Sequence, residues 1–260
     1  MSSLHSIFFT AIVVSTLVVG HGCKHKSGKP ADENGKSPKA IKHLRVGLAG
    51  LGEINTLDPA RAGTAAPITI VWQIFDRLVD VAPDGTVTPM LATSWQSSND
   101  LKEWRFQIRP DVYFHASSDQ ARTHRVSPAD VRASLERALR VPGFGRTLLA
   151  DLIVGTDEFI GGNTQHVAGI VVSGYEVILK LQKPFAFLPE RLAASFFGIV
   201  PRDTPEDPLT TPIGSGPFRL VDWQQVSGKI VLERNRAYWS KLSVQCPRPD
   251  RTYQLFGPEL

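Results

Sequence analysis

The segment EWRFQI, residues 103–108, constrains the fold more than any other stretch of comparable length. Trp104, Phe106 and Ile108 alternate with polar residues, and this period of two predicts a strand with one buried face. Because a half-buried strand needs a covering layer, the chain must supply a sheet and something apolar to pack against it.

A helix for that layer is predicted in SPADVRASLERALR, residues 127–140. Ser127 precedes Pro128, and Asp130 lies in the first turn, which is typical of a helix start. Other segments predict further strands and helices. A strand is expected at 44–50, a helix at 66–81, a turn at 81–89, a hairpin at 167–184, a helix at 187–197, a strand at 198–201, and paired strands at 216–223 and 229–235. The fold class predicted is α/β with a mixed sheet.

The net charge of +4 is confined to one short segment, residues 23–43. That segment holds six lysines against Asp32 and Glu33, so residues 44–260 carry equal numbers of positive and negative side chains. Nucleic-acid binding requires basic charge on a folded face, and these totals argue against it. Residues 23–43, rich in Lys, Gly, Pro and Ser, predict a flexible basic linker. Attraction to an anionic membrane and plain solubilisation are both open roles for it.

The apolar run at residues 7–19 is too short for a comfortable membrane span and suits a signal-peptide core, which gives a predicted signal peptide at 1–22. Gly22 and Cys23 follow, and a bacterial lipoprotein signal ends on a small residue before a lipidated cysteine. Lipidation of Cys23 is the favoured expectation, with ordinary secretion and an uncleaved anchor as alternatives. Cys246 is the other cysteine, so lipidation would leave no internal disulfide.

The stretch IGSGPF, residues 213–218, raises three chemical possibilities. It lacks the Gly-Lys-Ser/Thr of a phosphate-binding loop and the Gly-x-Ser-x-Gly of a nucleophile elbow, so a tight turn into a strand is favoured. His115, Asp119 and His124 have spacings that could bring metal ligands together, yet a solvated loop is the better interpretation. No metal and no cofactor is expected. By elimination, the residues favour an exported binding module over an enzyme.

Taken together, six runs in order resemble the extracellular solute-binding proteins of family 5, the peptide- and nickel-binding components of ABC importers. The runs are residues 44–60, 74–95, 101–115, 127–139, 212–223 and 230–239, and residues 92–112 resemble the family signature. The resemblance implies a class II periplasmic-binding-protein lobe that closes over a ligand by hinge motion. It implies a first-lobe core at 44–76 and 200–260, an inserted subdomain at 77–199, and a second lobe beyond residue 260, absent or truncated here. The acidic residue that holds a peptide's amine in this family would lie in that second lobe.

The resemblance also implies a ligand and partners. A peptide or related small solute would bind beside the backbone of Gly63, Thr64 and Ala65, and Gly214, Ser215 and Gly216 would lie close to the cleft and hinge. An ABC permease would be the membrane partner. The expected location is the periplasm or outer cell surface, with membrane attachment through Cys23. The alternative is a remnant lobe that binds nothing or acts only with a partner chain.

Overall fold

In the computed structural model, the structure describes residues 43–48, 53–115, 124–205, 212–240 and 252–256, with the backbone alone for His43 and residues 252–256. These residues belong to one compact unit, Ala40–Leu260. The longest helix among them has 13 residues, and none of the described helices is long and apolar enough to cross a membrane.

The described elements are mixed along the chain, as the α/β prediction requires. The strands are β1 (His43–Gly47), β2 (Val79–Val81), β3 (Val87–Pro89), β4 (Ala92–Ser97), β5 (Glu103–Ile108), β6 (Ile170–Ser173), β7 (Glu176–Lys180), β8 (Phe218–Gln224), β9 (Lys229–Arg234) and β10 (Thr252–Phe256). The helices are α1 (Ala65–Ile74), α2 (Pro128–Arg140), α3 (Phe144–Leu149), α4 (Thr156–Ile160) and α5 (Leu188–Leu192), with 3-10 turns at Pro59–Arg61 and Ser195–Phe197.

Two four-stranded sheets organise this part of the chain. One has the order β1-β10-β9-β8, in which β1 and β10 are parallel and the other pairs are antiparallel. The other is antiparallel, with the order β4-β5-β7-β6. A two-stranded ribbon, β2-β3, precedes the second sheet in the chain. The combination of parallel and antiparallel pairs confirms the mixed sheet.

Each sheet belongs to its own apolar core. The smaller core combines α1 with β9 and includes Ile70, Phe75 and Ile230. The larger core combines α2 with β5 and β7 and includes Phe106 and Leu135. The alternation in β5 is confirmed, because its three apolar side chains are buried. The domain boundaries at 76/77 and 199/200 remain predictions.

The start of α2 is fixed by local chemistry. The Asp130 carboxylate accepts hydrogen bonds from the Ser127 N–H at 2.8 Å and from the Ser127 hydroxyl at 2.5 Å. Pro128 occupies the first turn, where a missing N–H breaks no helical hydrogen bond. The predicted helix start at Ser127 is therefore confirmed.

Some predicted elements differ from the structure. The helix expected over 66–81 ends at Ile74, because Phe75 is extended and its successors form β2. Residues 198–201 form no strand: the Ile199 N–H donates to the Asp76 carbonyl and the Val200 N–H to the Ser134 hydroxyl. The helix expected over 187–197 is split into α5 and a 3-10 turn. The first strand was expected to be buried, yet Leu44 is 43% exposed.

Candidate functional site

Gly63, Thr64 and Ala65 lie together at the start of α1. Thr64 is the N-cap residue, and its side chain makes no capping hydrogen bond. Gly63 and Thr64 are exposed and Ala65 is half-buried. The first N–H groups of a helix have no partner within it. Among the described residues, no group accepts from the N–H of Thr64 or Ala65. This stretch, the backbone wall, therefore presents main-chain donors to solvent.

A buried ion pair fixes the segment that leads into the backbone wall. Asp58 is fully buried, and its carboxylate accepts from the Arg137 guanidinium of α2 at 2.8 and 3.2 Å. Asp58 also caps the following 3-10 turn by accepting from the Ala60 N–H at 3.0 Å. Two planar hydrogen bonds to one carboxylate restrict orientation as well as distance. The wall is consequently tied to α2 only a few residues before Gly63.

The ring of Phe144 stands beside the backbone wall. A methyl group on Gly63 would come within 3.9 Å of the Phe144 ring, and Phe144 is 62% exposed. The ring stacks on Phe196 with centroids 5.6 Å apart. Gly145 packs against Ala138 and Phe196, where an added Cβ would lie only 3.2–3.3 Å from its neighbours. The close packing of α3 on α2 thus presents an aromatic face next to main-chain donors.

The second predicted group, Gly214, Ser215 and Gly216, lies at the other end of the same helix. The Gly216 N–H donates to the carbonyl of Ile74, the last residue of α1, at 2.9 Å. Ten helical residues span about 15 Å, so the two predicted groups do not form one pocket wall. Helix α1 connects them.

The reason for the two glycines is close approach rather than an unusual backbone angle. Neither Gly214 nor Gly216 has a positive φ. A Cβ on Gly214 would lie 2.0 Å from the Ile74 carbonyl oxygen, and one on Gly216 would lie 2.7 Å from it. The strand that follows is confirmed as β8. A bend at residues 216–217 leads into β8, as the predicted turn requires, and the glycines also allow two backbones to pack closely together.

Ser215 is buried, with 1% of its surface exposed, and its hydroxyl donates to Asp76 at 2.9 Å. The Tyr238 hydroxyl and the Trp239 indole N–H donate to the same carboxylate at 3.0 and 2.9 Å. Burial raises the pKa of Asp76, and the hydrogen bonds from Trp239, Ser215 and Tyr238 oppose that rise. We call Asp76 with these three donors the aspartate junction, because it joins segments more than 130 residues apart in sequence.

His115 binds the other side of the glycine segment. Its backbone N–H donates to the Gly214 carbonyl at 2.7 Å, and its ring Nε2 lies 2.9 Å from the Gly216 carbonyl, to which it donates. Burial lowers the pKa of His115 from 6.5 to about 4. Near neutral pH the ring is therefore uncharged, and it serves as a structural hydrogen-bond donor.

The side chains that could have formed a serine-hydrolase or metal site make other contacts in the structure. The Ser215 hydroxyl binds Asp76, whereas the ring of His115 binds a backbone carbonyl. His124 packs on Phe114, with ring centroids 4.8 Å apart. Among the described residues, no group of three His, Cys, Asp or Glu side chains is placed to hold a metal ion. Cys23, Asp119 and Cys246 lie outside the described residues.

Sequence reasoning missed Phe144 and Asp76. Phe144 carries a local signal, because it is an aromatic residue between Gly143 and Gly145 in a stretch with no apolar periodicity. Asp76 carries no such signal, because its partners lie 139 to 163 residues away. A single sequence does not show pairings over that distance.

Comparisons with known proteins identify the family of this chain. The model of bacterial extracellular solute-binding proteins, family 5, middle region, matches residues 86–252, more than half of the chain. The peptide transport periplasmic protein SapA of Salmonella typhimurium is 24% identical over 253 residues, which cover 88% of this chain and 43% of SapA. The nickel-binding periplasmic protein of Escherichia coli is 28% identical over 203 residues, which cover 75% of this chain and 36% of that protein.

A solved structure shows the same fold. The periplasmic binding protein DppA of Helicobacter pylori, in complex with the peptide STSA, superposes with a TM-score of 0.66 at 24% identity. The match covers 83% of this chain and 42% of that protein. The chain thus spans about two fifths of the length of the relatives named here.

Proposed function

The chain belongs to family 5 of the bacterial extracellular solute-binding proteins, and from that premise we propose that it is the solute-binding component of an ABC-type importer. In this proposal it binds a peptide, or a related small solute, in a cleft and delivers it to a membrane permease. The proposal concerns the whole receptor, of whose length this chain spans about two fifths. Relatives named for peptide transport and for nickel binding support a small-solute ligand.

The observation that carries this proposal is the backbone wall beside Phe144. Exposed N–H groups of Thr64 and Ala65 can donate to the carbonyl oxygens of an extended peptide, whatever its side chains are. The Phe144 ring can pack against one of those side chains. Because the Asp58–Arg137 ion pair holds the preceding segment, little ordering is needed when a ligand binds. These groups favour a peptide over a metal complex.

Thermal unfolding of the full chain with di- to pentapeptides tests the proposal. A ligand at about 100 times its Kd adds about 2.7 kcal/mol to the free energy of unfolding. For a chain of this size that corresponds to a rise in Tm of roughly 5–10 °C. If no peptide raises the Tm at millimolar concentration, autonomous peptide binding is refuted and the partner-dependent alternative gains support.

A pair of phenylalanine variants locates the site. F144A is expected to weaken peptide binding about tenfold, because truncating an aromatic anchor commonly removes more than 1 kcal/mol. F187A is the matched control, since Phe187 is 66% exposed and packs edge-on against Phe185. Calorimetric titration that finds the two variants equally affected contradicts the placement of the ligand.

We further propose that the protein is exported and attached to a membrane by a lipid on Cys23. The support is the sequence, in which the apolar run at 7–19 leads to Gly22 and Cys23. Metabolic labelling with a palmitate analogue should mark the wild type and not C23S, while C246S should label normally. Equal labelling of C23S and wild type contradicts the anchor.

A further inference from the structure

A cavity of about 450 Å³ lies along one face of α2, separate from the backbone wall. Its walls come from α2, from Arg61 at the end of the first 3-10 turn, and from residues 200–202 and Thr204. Neither the backbone wall nor Phe144 lines it. Cavities of this volume accommodate small ligands.

Among the described residues, the side chains that line this cavity carry an excess of positive charge. Five arginines and one carboxylate, Glu136, are among its lining residues; the arginines are Arg61, Arg132, Arg137, Arg140 and Arg202. Glu136 is already engaged, because it accepts from the Val167 N–H at 3.0 Å and lies 3.1 Å from the Nδ1 of His166. We call this cavity the arginine pocket. A concave surface lined by one sign of charge concentrates its field on whatever enters.

Some of the five guanidinium groups have structural roles. Arg137 is committed to Asp58 and to the carbonyl of Pro205. Arg61 lies 3.4 Å from Asp58, and Arg140 lies over the ring of Phe159. These three arginines contribute positive potential while their side chains hold the surrounding segments in place.

Arg132 and Arg202 differ from those three. Within the described ranges, neither side chain has a hydrogen-bond or ion-pair partner. The backbone of Arg202 is nevertheless fixed, since its N–H donates to Asp130 at 2.9 Å. Arg132 lies on α2, where its position follows from the helix. The pocket therefore holds two uncommitted guanidinium groups on rigid supports.

We propose that the arginine pocket binds a small ligand through a phosphate group. A guanidinium group pairs with phosphate oxygens through two parallel hydrogen bonds. A phosphate offers three strong acceptor oxygens in a tetrahedral arrangement, which suits donors that approach from different walls of a cavity. A planar carboxylate has two oxygens in one plane and therefore accepts from fewer of these donors. The phosphate can belong to a free phosphorylated solute or to a phospholipid headgroup.

Calorimetric titration of the full chain at constant ionic strength tests this proposal. The probes are inorganic phosphate, acetate, and dihexanoyl phosphatidylglycerol below its micellar concentration, which together distinguish a free phosphate from a lipid source. R132Q/R202Q is expected to bind the phosphate-bearing probe at least tenfold more weakly than the wild type. K183Q is the control, because Lys183 forms an exposed ion pair with Asp151 and does not line the pocket.

The outcomes separate clearly. Binding of either phosphate-bearing probe supports the proposal if R132Q/R202Q loses it and K183Q keeps it. The probe that binds shows whether the phosphate comes from a free solute or from a lipid headgroup. The proposal is overturned if neither phosphate-bearing probe binds, if acetate binds equally well, or if both variants lose binding equally. Peptide titration of the same variants is independent, so failure here leaves the proposed transport function untouched.

Discussion

Replacing Gly214 with alanine places a methyl group against the backbone of α1, and the result should be severe destabilisation. The added Cβ would lie 2.0 Å from the Ile74 carbonyl oxygen, whereas ordinary Cβ contacts are 3.4 Å or longer. The two backbones must separate by more than about 1 Å, because the backbone fixes the position of the Cβ and no side-chain rotation moves it away from the carbonyl oxygen.

The magnitude follows from the contacts that such a shift breaks. They are the hydrogen bonds from Gly216 to Ile74, from His115 to Gly214 and from Ser215 to Asp76. Each buried hydrogen bond contributes about 1 kcal/mol, and overpacking strain adds about 1–3 kcal/mol. The expected loss is therefore roughly 4–6 kcal/mol, near the upper end of what single substitutions do.

Urea and thermal unfolding followed by circular dichroism measure this loss. For a chain of this size, G214A should unfold about 10 °C or more below the wild type. G47A is the matched control, because nothing lies within 4 Å of the added Cβ and Gly47 has no positive φ. G216A should be intermediate, since its closest contacts are 2.7 Å. If G214A and G47A unfold within 2 °C of each other, the close-approach argument is wrong.

Three further outcomes are expected. R137Q should lose about 3 kcal/mol of stability in urea, because it removes two charge-assisted hydrogen bonds from the buried Asp58 carboxylate, which keeps Arg61 at 3.4 Å; a loss below 1 kcal/mol contradicts this. Because burial lowers the pKa of His115 from 6.5 to about 4, its neutral ring contributes its full share of the free energy of unfolding above pH 6.5. About 3 kcal/mol of that free energy is lost as the pH falls from 6.5 through the folded pKa of about 4. Urea midpoints between pH 7 and 4 should therefore fall more steeply for the wild type than for H115Q, and parallel slopes would refute the assignment. S215A should lose about 1–2 kcal/mol in thermal unfolding, because Asp76 loses one of its donors, whereas an unchanged Tm would remove Ser215 from the aspartate junction.

Elements with local signals were predictable from the sequence. The start of α2 was predictable because Ser127, Pro128 and Asp130 complete its first turn among themselves. The alternation of β5 was predictable because every second side chain faces the same core. The hairpin of β6 and β7 was predictable from the turn residues at Ser173 and Gly174, and Gly174 has a φ of 57°.

Features that depend on distant segments were not predictable. The apolar spacing after Pro67 continues past the end of α1, because Phe75, Leu78 and Val79 are buried as well. The apolar spacing therefore predicted which side chains are buried, but it did not indicate where the helix ends. Position 214 requires glycine because of a carbonyl group 140 residues earlier in the chain. Asp76 likewise receives its hydrogen bonds from segments more than 130 residues away. Phe144 could have been suspected as an exposed aromatic residue, but only packing shows that it stands beside Gly63.

The parallel pairing of β1 with β10 has a consequence for biosynthesis. Strand β1 is at the sheet edge, and β10 is its neighbour there. More than 200 residues separate the two strands in sequence. At about 5–20 residues per second, a ribosome needs on the order of 10–40 s to make that intervening chain. During this interval the first strand has no partner in its sheet, so its polar backbone edge is open to pairing with other nascent chains.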